Sequence, residues 1–444
     1  MTPSPDPAPA PLHAMGIVGG GQLAWMLAEA AADLGVSLHV QTPRGDDPAA
    51  RRATTVLEAP LDDVAATRQL AERCGAVSFE NEWIPLEALA PLIQEGVRFV
   101  PSLQALRPLI DKRSQHQLLQ SLHLPTPRWC PLEEVLHPPS TREKGAGDDA
   151  RVLNADSSTG DDLDPQTGLL LQGQEATSSP RLPDGLDFPV MAKAATGGYD
   201  GRGTRLLQNQ GDLEALLTEV DPTGWLLEER VNFELELALV ACRNREGELR
   251  LFPLVQTHQH QHVCDWVLYP APVDHAVEAF ARNVAASLLT ALDYVGVLSI
   301  EFFYGPAGLQ INELAPRTHN SGHLTIEACQ TSQFEQQVRI VTGRPMGSTE
   351  ARVPGALMIN LLSPEEPLAA DQVEERCRRL RELPGAHLHW YGKSGHRPGR
   401  KLGHLTVALP EGGGAAHDQE WERWLQQVRE IWPLPQTSTA GASP

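Results

Sequence analysis

The chain has 444 residues, 41% of them hydrophobic and 21% charged, and its 57 acidic against 36 basic side chains give a net charge of -21. Domains run about 100–200 residues, so two or three packed units are expected, and the composition excludes wholesale disorder. The negative balance repels a phosphate backbone, and no apolar run reaches the roughly 20 residues needed to span a bilayer, so neither nucleic acid nor a membrane is an expected partner.

The opening MTPSPDPAPAPLHA has neither the basic flank nor the apolar core of a signal segment and reads as a disordered tail over 1–14. From Met15, MGIVGGGQLAWMLAEAAADLGVSLHV predicts a strand, a glycine turn, a helix and a second strand. A further α/β unit runs through VSFENEWIP and VRFVPS, closing a first domain over 15–110. LRPLIDKRSQHQLLQSLHLPTPRW then reads as a helix stopped by Pro125 and Pro127. Residues 137–185, crowded with Pro, Ser, Thr, Asp and Gly, read as a long mobile insertion away from any active site.

Order resumes at FPVMAKAATGGYDGRGTRLL, a strand, a glycine loop and a strand, followed by a helix around DLEALLTEV and a strand at GWLLEERVN. The strand ELELALVACR with its partner RLFPLVQ, a helix around AVEAFARNVAASLLTAL, and the strands VGVLSIEFFY and GLQINELA complete a large α/β body over 111–350. ALMINLL, AHLHWYGK and KLGHLTVAL predict a small β-rich unit over 351–410, and 411–444 hold a helix near Glu420–Ile431 and a polar tail. The six cysteines, Cys74, Cys130, Cys242, Cys264, Cys329 and Cys377, form no CxxC pair and read as reduced thiols of a cytoplasmic protein.

Gly19, Gly21 and Ala24 make a GxGxxA pattern after a strand, suited either to an anion at a helix N-terminus or to a tight turn alone. A dinucleotide site also needs an acidic residue about 20 positions on, where this chain has Val40-Gln41-Thr42. The run from Lys193 to Gly203 is more informative: a strand lysine, four glycines and Arg202 can fold over polyphosphate, the other reading being a glycine-rich hairpin turn.

Glu301 and Glu313 lie in adjacent predicted strands joined by a short turn, and with Asn312 they offer the hard oxygen donors preferred by nucleotide-bound Mg²⁺. Solvent-facing strand charges are the alternative, yet both sit in apolar runs where an unpaired carboxylate is costly. Directly after them, Arg317, His319 and His323 lie in a stretch short of packing residues, and an arginine can clamp a planar oxyanion bidentately. Either histidine could instead be a buried structural one. Lys393, Arg397, Arg400 and Lys401 form a basic cluster, a phosphate pocket or a charged surface. His258, His260 and His262 alternate along one predicted strand face, which spreads them too far for one tetrahedral zinc and suits edge-strand polarity.

Together GGGQLAWML, FENE at 79–82, TGGYDGRG at 196–203, INELAPRTHNSGH at 311–323 and HWYGKSGHRPGRKLGH at 389–404 resemble the N5-carboxyaminoimidazole ribonucleotide synthase family of ATP-grasp enzymes, over nearly all of residues 15–410. The resemblance implies an α/β and α+β three-domain ATP-grasp fold, with a Rossmann-like N-terminal domain that binds no dinucleotide and a small C-terminal β-rich domain. It implies a cytoplasmic homodimer of purine biosynthesis that uses ATP, Mg²⁺ and bicarbonate to carboxylate 5-aminoimidazole ribonucleotide through carboxyphosphate. An ATP-grasp ligase of formate or another carboxylate is the alternative.

By matching position, Lys112 and Lys193 would meet the nucleotide phosphates, and Gly198, Tyr199, Asp200, Gly201, Arg202, Gly203 and Thr204 would form a phosphate lid. Glu228, Glu229, Arg230 and Val231 would border the adenine, with Glu236 on the ribose and Asn312 and Glu313 completing the nucleotide site. Glu301 and Glu313 would bind Mg²⁺, and Arg317 and His319 would hold bicarbonate or carboxyphosphate. Gln22, Glu80, Asn81, Lys393, Arg400 and Lys401 would surround the ribonucleotide, the last three on its phosphate. The chain departs from the family at Lys112, where arginine is frequent, and at Gln256-Thr257-His258-Gln259, where the family histidine has no clear counterpart.

Overall fold

A computed structural model of the chain describes residues 12–136, 180–198, 203–410 and 415–435. It divides into two compact units, one of Met1–Pro127, Ala194–Thr204 and Arg230–Pro444, the other of Arg128–Lys193 and Arg205–Glu229. Most of the expected tail and insertion, and Tyr199 to Arg202 of the expected lid, lie outside the described residues.

The larger unit begins with β1 (Ala14–Val18), α1 (Gln22–Asp33), β2 (Ser37–Thr42), β3 (Thr55–Glu58), α2 (Val64–Ala71), β4 (Val77–Phe79) and α3 (Leu86–Gln94). The strands form a parallel sheet in the order β3-β2-β1-β4. The tail expected over 1–14 is shorter among the described residues: Leu12 N–H donates to Thr342 O at 2.8 Å, and Ala14 opens β1. An apolar residue at position 12 has a place to bury, lodged over Gly75 where a Cβ would meet its side chain at 2.4 Å.

After α4 (Leu103–Leu106) comes α5 (Lys112–Ser121), whose N-terminus is capped by Asp111 accepting from Ser114 N–H; such a cap stabilises by about 1 kcal/mol. The smaller unit holds β5 (Trp129–Pro131), β6 (Val190–Ala194), β7 (Thr204–Leu207), α6 (Gln210–Glu219) and β8 (Trp225–Glu229), its sheet ordered β5-β8-β6-β7 around Val190, Ala192, Leu213, Leu216 and Leu227.

The rest of the larger unit is β9 (Leu235–Arg243), β10 (Leu249–Leu251), β11 (Val255–His260), β12 (Val263–Tyr269), α7 (His275–Ala291), β13 (Gly296–Gly305), β14 (Gly308–Ala315), α8 (Thr325–Ala328), α9 (Gln333–Thr342), β15 (Gly355–Leu362), α10 (Ala370–Arg381), β16 (Ala386–Trp390), β17 (Lys401–Leu409) and α11 (Ala415–Ile431). Its sheet runs β14-β13-β9-β11-β12-β15-β17-β16, with β10 on β9. The strands expected as a C-terminal unit thus continue this sheet, Trp266 of β12 pairing with Ile359 of β15.

Period-3.6 apolar faces hold the helices on. α7 buries Val284, Leu288 and Leu289 against Leu239 and Ile300, and each leucine so buried contributes about 1.5–3 kcal/mol. α9 presents Phe334, Val338 and Val341 to the same core that receives Met26 and Leu27 of α1, which fixes the loop before α9 relative to the N-terminal sheet.

Candidate active site

The glycine turn after β1 resolves the first ambiguity of the sequence. The Glu80 carboxylate accepts from the N–H groups of Gly21 at 2.6 Å, Leu23 at 3.1 Å and Ala24 at 3.3 Å, so the exposed dipole end of α1 already holds an anion from its own chain. A Cβ at Gly21 would meet Glu80 Oε1 at 2.5 Å, which is why glycine stands there. Burial pushes the Glu80 carboxyl up, and those same amides pull against it. Asn81 accepts from Trp83 N–H at 3.1 Å, shaping the turn that follows.

On the antiparallel sheet, β13 and β14 set Glu301 directly opposite Glu313, and the register shifts between Glu301 and Phe302 so that Asn312 is the extra residue. A bulge re-aims its side chain, and Asn312 Nδ2 points at Glu301 Oε2, 3.4 Å away. Lys112 Nζ lies 2.6 Å from Glu313 Oε1, and His319 Nε2 lies 3.3 Å from Glu301 Oε1. Burial, then the facing Glu313 charge, lifts the Glu301 carboxyl to about 7. Burial, then Glu301, likewise lifts Glu236 of β9 to about 7. Carboxylates crowded in this way favour a cation, and Glu301 and Glu313 supply hard oxygen donors that would fit Mg²⁺ carried in on phosphate. Among the described residues no group of three or more His, Cys, Asp or Glu side chains could hold a metal alone.

The loop after β14 carries the two residues expected to hold the oxyanion. Arg317 Nε donates to Glu82 Oε2 at 2.6 Å and Nη2 to Glu82 Oε1 at 3.3 Å, a two-point pairing that aims the guanidinium. Burial opposes ionisation of Glu82, but the Arg317 charge and hydrogen bonds outweigh it and hold the carboxyl below its usual range. His319 Nδ1 meets Ser321 Oγ at 2.9 Å, and Gln333 clamps the His319 backbone, accepting from its N–H at 2.9 Å and donating to its O at 2.6 Å. Burial, then Arg317 and Lys401, keeps His319 far below the normal histidine range, hence neutral. Gln115 performs a similar office behind Glu313, donating to Leu314 O at 3.0 Å and accepting from Leu314 N–H at 3.1 Å.

The basic cluster of residues 393–401 is tied to the N-terminal sheet. Lys393 Nζ donates to Gln22 Oε1 and, at 2.8 Å, to Lys401 O; Ser394 Oγ donates to Asp46 at 2.6 Å, and Arg51 donates to Gly392 O at 2.7 Å. Arg400 donates to Ser394 O at 2.7 Å. Burial, then repulsion from Arg397 and Arg44, depresses its pKa, as expected of guanidinium groups gathered for an anion. Gln22, Lys393 and the Lys401 backbone are therefore brought together.

In the smaller unit Lys193 of β6 and Glu228 of β8 are both nearly buried and pair at 2.6 Å, while Glu229 accepts from the Arg128 backbone and guanidinium at 3.0 and 2.8 Å. In the larger unit the ends of the glycine loop meet, Ala194 N–H donating to Gly203 O at 2.7 Å, and Lys112 N–H donates to Ala195 O at 2.9 Å. Gly203 takes φ 73°, where a side chain would be strained. Gly198 and Thr204 flank the four expected lid residues outside the described ones.

The histidine row corrects an expectation. β11 lies between β9 and β12 and is not an edge strand. A bulge between His258 and Gln259 and a turn with Gln261 at φ 51° and His262 at φ 63° break the alternation, so the three rings do not share a face. His258 stacks on Trp266 with ring centroids 5.0 Å apart and lies 3.5 Å from Asp265, which Arg429 of α11 also holds, and His260 meets Pro435 O at 3.1 Å. Sequence reading missed Glu82 as the partner of Arg317, although Glu82 lies inside the FENE motif, because the two stand 235 positions apart.

The ATP-grasp domain family matches residues 171–334, the ribonucleotide synthetase preATP-grasp domain matches 12–109, and the phosphoribosylaminoimidazole carboxylase C-terminal domain matches 356–416. Fold and site therefore define an ATP-grasp ligase. The N5-carboxyaminoimidazole ribonucleotide synthase of Synechococcus elongatus is 42% identical over 431 residues, covering 97% of this chain and 98% of its own. That of Pseudomonas aeruginosa is 33% identical, covering 88% of this chain and 94% of its own. The crystal structure of N5-carboxyaminoimidazole ribonucleotide synthetase from Thermus thermophilus superposes with TM-score 0.73 at 30% identity, covering 96% of this chain and 99% of that one. The Aspergillus clavatus synthase in complex with ADP and 5-aminoimidazole ribonucleotide does so with TM-score 0.75 at 27% identity, covering 94% and 98%. The chain belongs to the N5-carboxyaminoimidazole ribonucleotide synthase family.

Proposed function

We propose that the chain couples ATP hydrolysis to transfer of a carboxyl group from bicarbonate to the exocyclic amine of 5-aminoimidazole ribonucleotide, with carboxyphosphate between. The observation that carries the reading is the arrangement of Glu301, Asn312 and Glu313 beside Arg317 and His319 in a half-buried, polar setting. Glu301 and Glu313 would hold Mg²⁺, which when bound neutralises phosphate charge and polarises the transferred phosphoryl group. Lys112, paired with Glu313 at 2.6 Å, would meet the nucleotide phosphates.

Arg317, aimed by Glu82, supplies planar donors for bicarbonate and for the carboxyphosphate formed from it. Neutral His319 can donate its N–H to the carboxyl oxygens without adding charge repulsion to Arg317. The ribonucleotide phosphate would sit on Lys393, Arg400 and Lys401, with Gln22 setting the Lys393 ammonium. Holding the amine against a short-lived acyl phosphate, away from water, is the main service such a site renders. Lys193, with Glu228 beside it, would meet the nucleotide phosphates. By family resemblance the enzyme works as a cytoplasmic homodimer; no helix among the described residues is long and apolar enough to cross a membrane.

The test is ATP-dependent phosphate release measured with bicarbonate or formate, with and without 5-aminoimidazole ribonucleotide. Stimulation requiring bicarbonate and the ribonucleotide together is expected. Stimulation by formate, or by a different amine, would sink the assignment.

A further inference from the structure

Behind the proposed oxyanion loop lies a knot of polar side chains for which the reaction gives no use. His323, which follows the Arg317–His319 segment, and His404 of β17 are completely buried, with ring centroids 4.9 Å apart. His404 stacks on His389 of β16 at 4.4 Å, and His389 Nε2 meets Glu327 Oε1 of α8 at 2.8 Å. Tyr391 OH pairs with His404 Nδ1 at 2.8 Å. Thr406, two residues along β17 from His404, shares its strand face and is also fully buried. Among the described residues five buried polar atoms here have no partner: both ring nitrogens of His323, Nε2 of His404, Oε2 of Glu327 and Oγ1 of Thr406.

Each neutral imidazole has one donor and one acceptor to place, and a buried group left without a partner costs free energy that packing does not return. Five such atoms gathered in one spot are not scattered imperfections. They leave donors and acceptors that a small hydrogen-bonding occupant would satisfy. A buried water makes about three hydrogen bonds to otherwise unpaired groups, and these side chains offer both donors and acceptors.

The cluster also joins the two sequence motifs that the proposed function assigns to opposite reactants. His323 belongs to the loop that holds Arg317 and His319. His389, Tyr391 and His404 belong to the segment that holds Lys393, Arg400 and Lys401. Tyr391 carries the connection outward: the Lys393 ammonium lies 5.2 Å from its ring centroid, and Lys393 in turn donates to Gln22.

We propose that ordered water fills the space between His323, His404, Glu327 and Thr406, and that this hydrated cluster is a positioning unit which, through Tyr391, sets Lys393 against the oxyanion loop. The water bridge rests on the structure alone; its consequence for the ribonucleotide rests on the reading of function given above. His323 and His404 act through Lys393 and touch no reactant.

The experiment has two arms. A high-resolution crystal structure of the full chain should show ordered water within hydrogen-bond reach of His323 and His404; a dry, collapsed contact there would overturn the proposal. In the kinetic arm, His323→Phe should raise KM for 5-aminoimidazole ribonucleotide about tenfold, the loss of roughly one net hydrogen bond, while KM for ATP stays within about twofold. His323→Gln, which keeps a donor and an acceptor, should recover most of that loss. An equal fall in all parameters for both variants, tracking a lowered melting temperature, would mean a packing role only and overturn the positioning claim. Should His323→Phe fail to fold, His404→Phe carries the same KM comparison, with His404→Gln as its conservative control. A wild-type enzyme inert toward the ribonucleotide would sink the functional reading while leaving the crystallographic arm to decide the water site.

Discussion

Two hairpins of the same sheet, β13–β14 and β11–β12, carry chemistry-bearing residues at close spacing, and each contains a bulge. In the first, the bulge at Asn312 keeps Glu301 and Glu313 face to face and turns an amide toward them. In the second, the bulge after His258 and the left-handed turn at Gln261 and His262 send three histidines to three different neighbours, Trp266, Pro435 and the turn itself. Residue types suited to metal binding can become a site only where register makes them converge.

The comparison breaks first at Glu313. Glu313→Gln keeps the shape and removes half of the paired carboxylates, so kcat should fall more than about 100-fold. Phosphate release at saturating Mg²⁺ measures it; near-normal turnover would put the metal elsewhere. Arg317→Lys keeps the charge but loses the planar fork, and kcat/KM for bicarbonate should fall about 100-fold. Near-normal activity would show that Arg317 serves only to hold Glu82. Glu82→Gln leaves the arginine in place with a weaker tether, and a loss of about tenfold is expected, with KM for ATP unchanged.

Much of the first hairpin was legible. Glu301 and Glu313 stand in apolar runs on either side of a short Gly-Pro turn, and alternation alone brings such positions together. That Asn312 would be the bulge residue was not legible, because a register shift is settled by what both strands pack against. The Glu82–Arg317 pair spans 235 positions, and the continuation of the sheet from β12 into β15 joins segments 93 residues apart at Trp266 and Ile359; local patterning holds no record of either. Glu80 shows the converse: the glycine turn advertised an anion site, and the anion is supplied from the end of β4.

A smaller effect concerns stability. Glu236, beside the same carboxylates, is raised from 4.5 to about 7 by burial and then by the Glu301 charge. A carboxyl whose pKa is higher folded than unfolded binds more protons in the native state between those values, so ligand-free stability falls as pH rises from 4.5 to about 7. Glu236→Gln removes that contribution, and the variant should melt above the wild type at pH 8 and near it at pH 4.5. Thermal melts at both pH values decide it, and an unchanged difference between them would mean that Glu236 is solvated.

The smallest effect belongs to the second hairpin, and it tests the comparison from the other side. His258 is half-exposed, stacked on Trp266 and 3.5 Å from an aspartate that Arg429 already holds. Removing its ring uncovers part of one indole face and leaves Asp265 paired, so the packing loss is partial and no buried charge is stranded. His258→Ala should therefore change kcat by less than about twofold and lower stability by about 0.5–1.5 kcal/mol, the scale of a ring–ring contact. Turnover measured with and without a zinc chelator should be the same in both proteins. A chelator-sensitive wild type and an inert His258→Ala would show that these histidines converge after all, and the distinction drawn between the hairpins would fail.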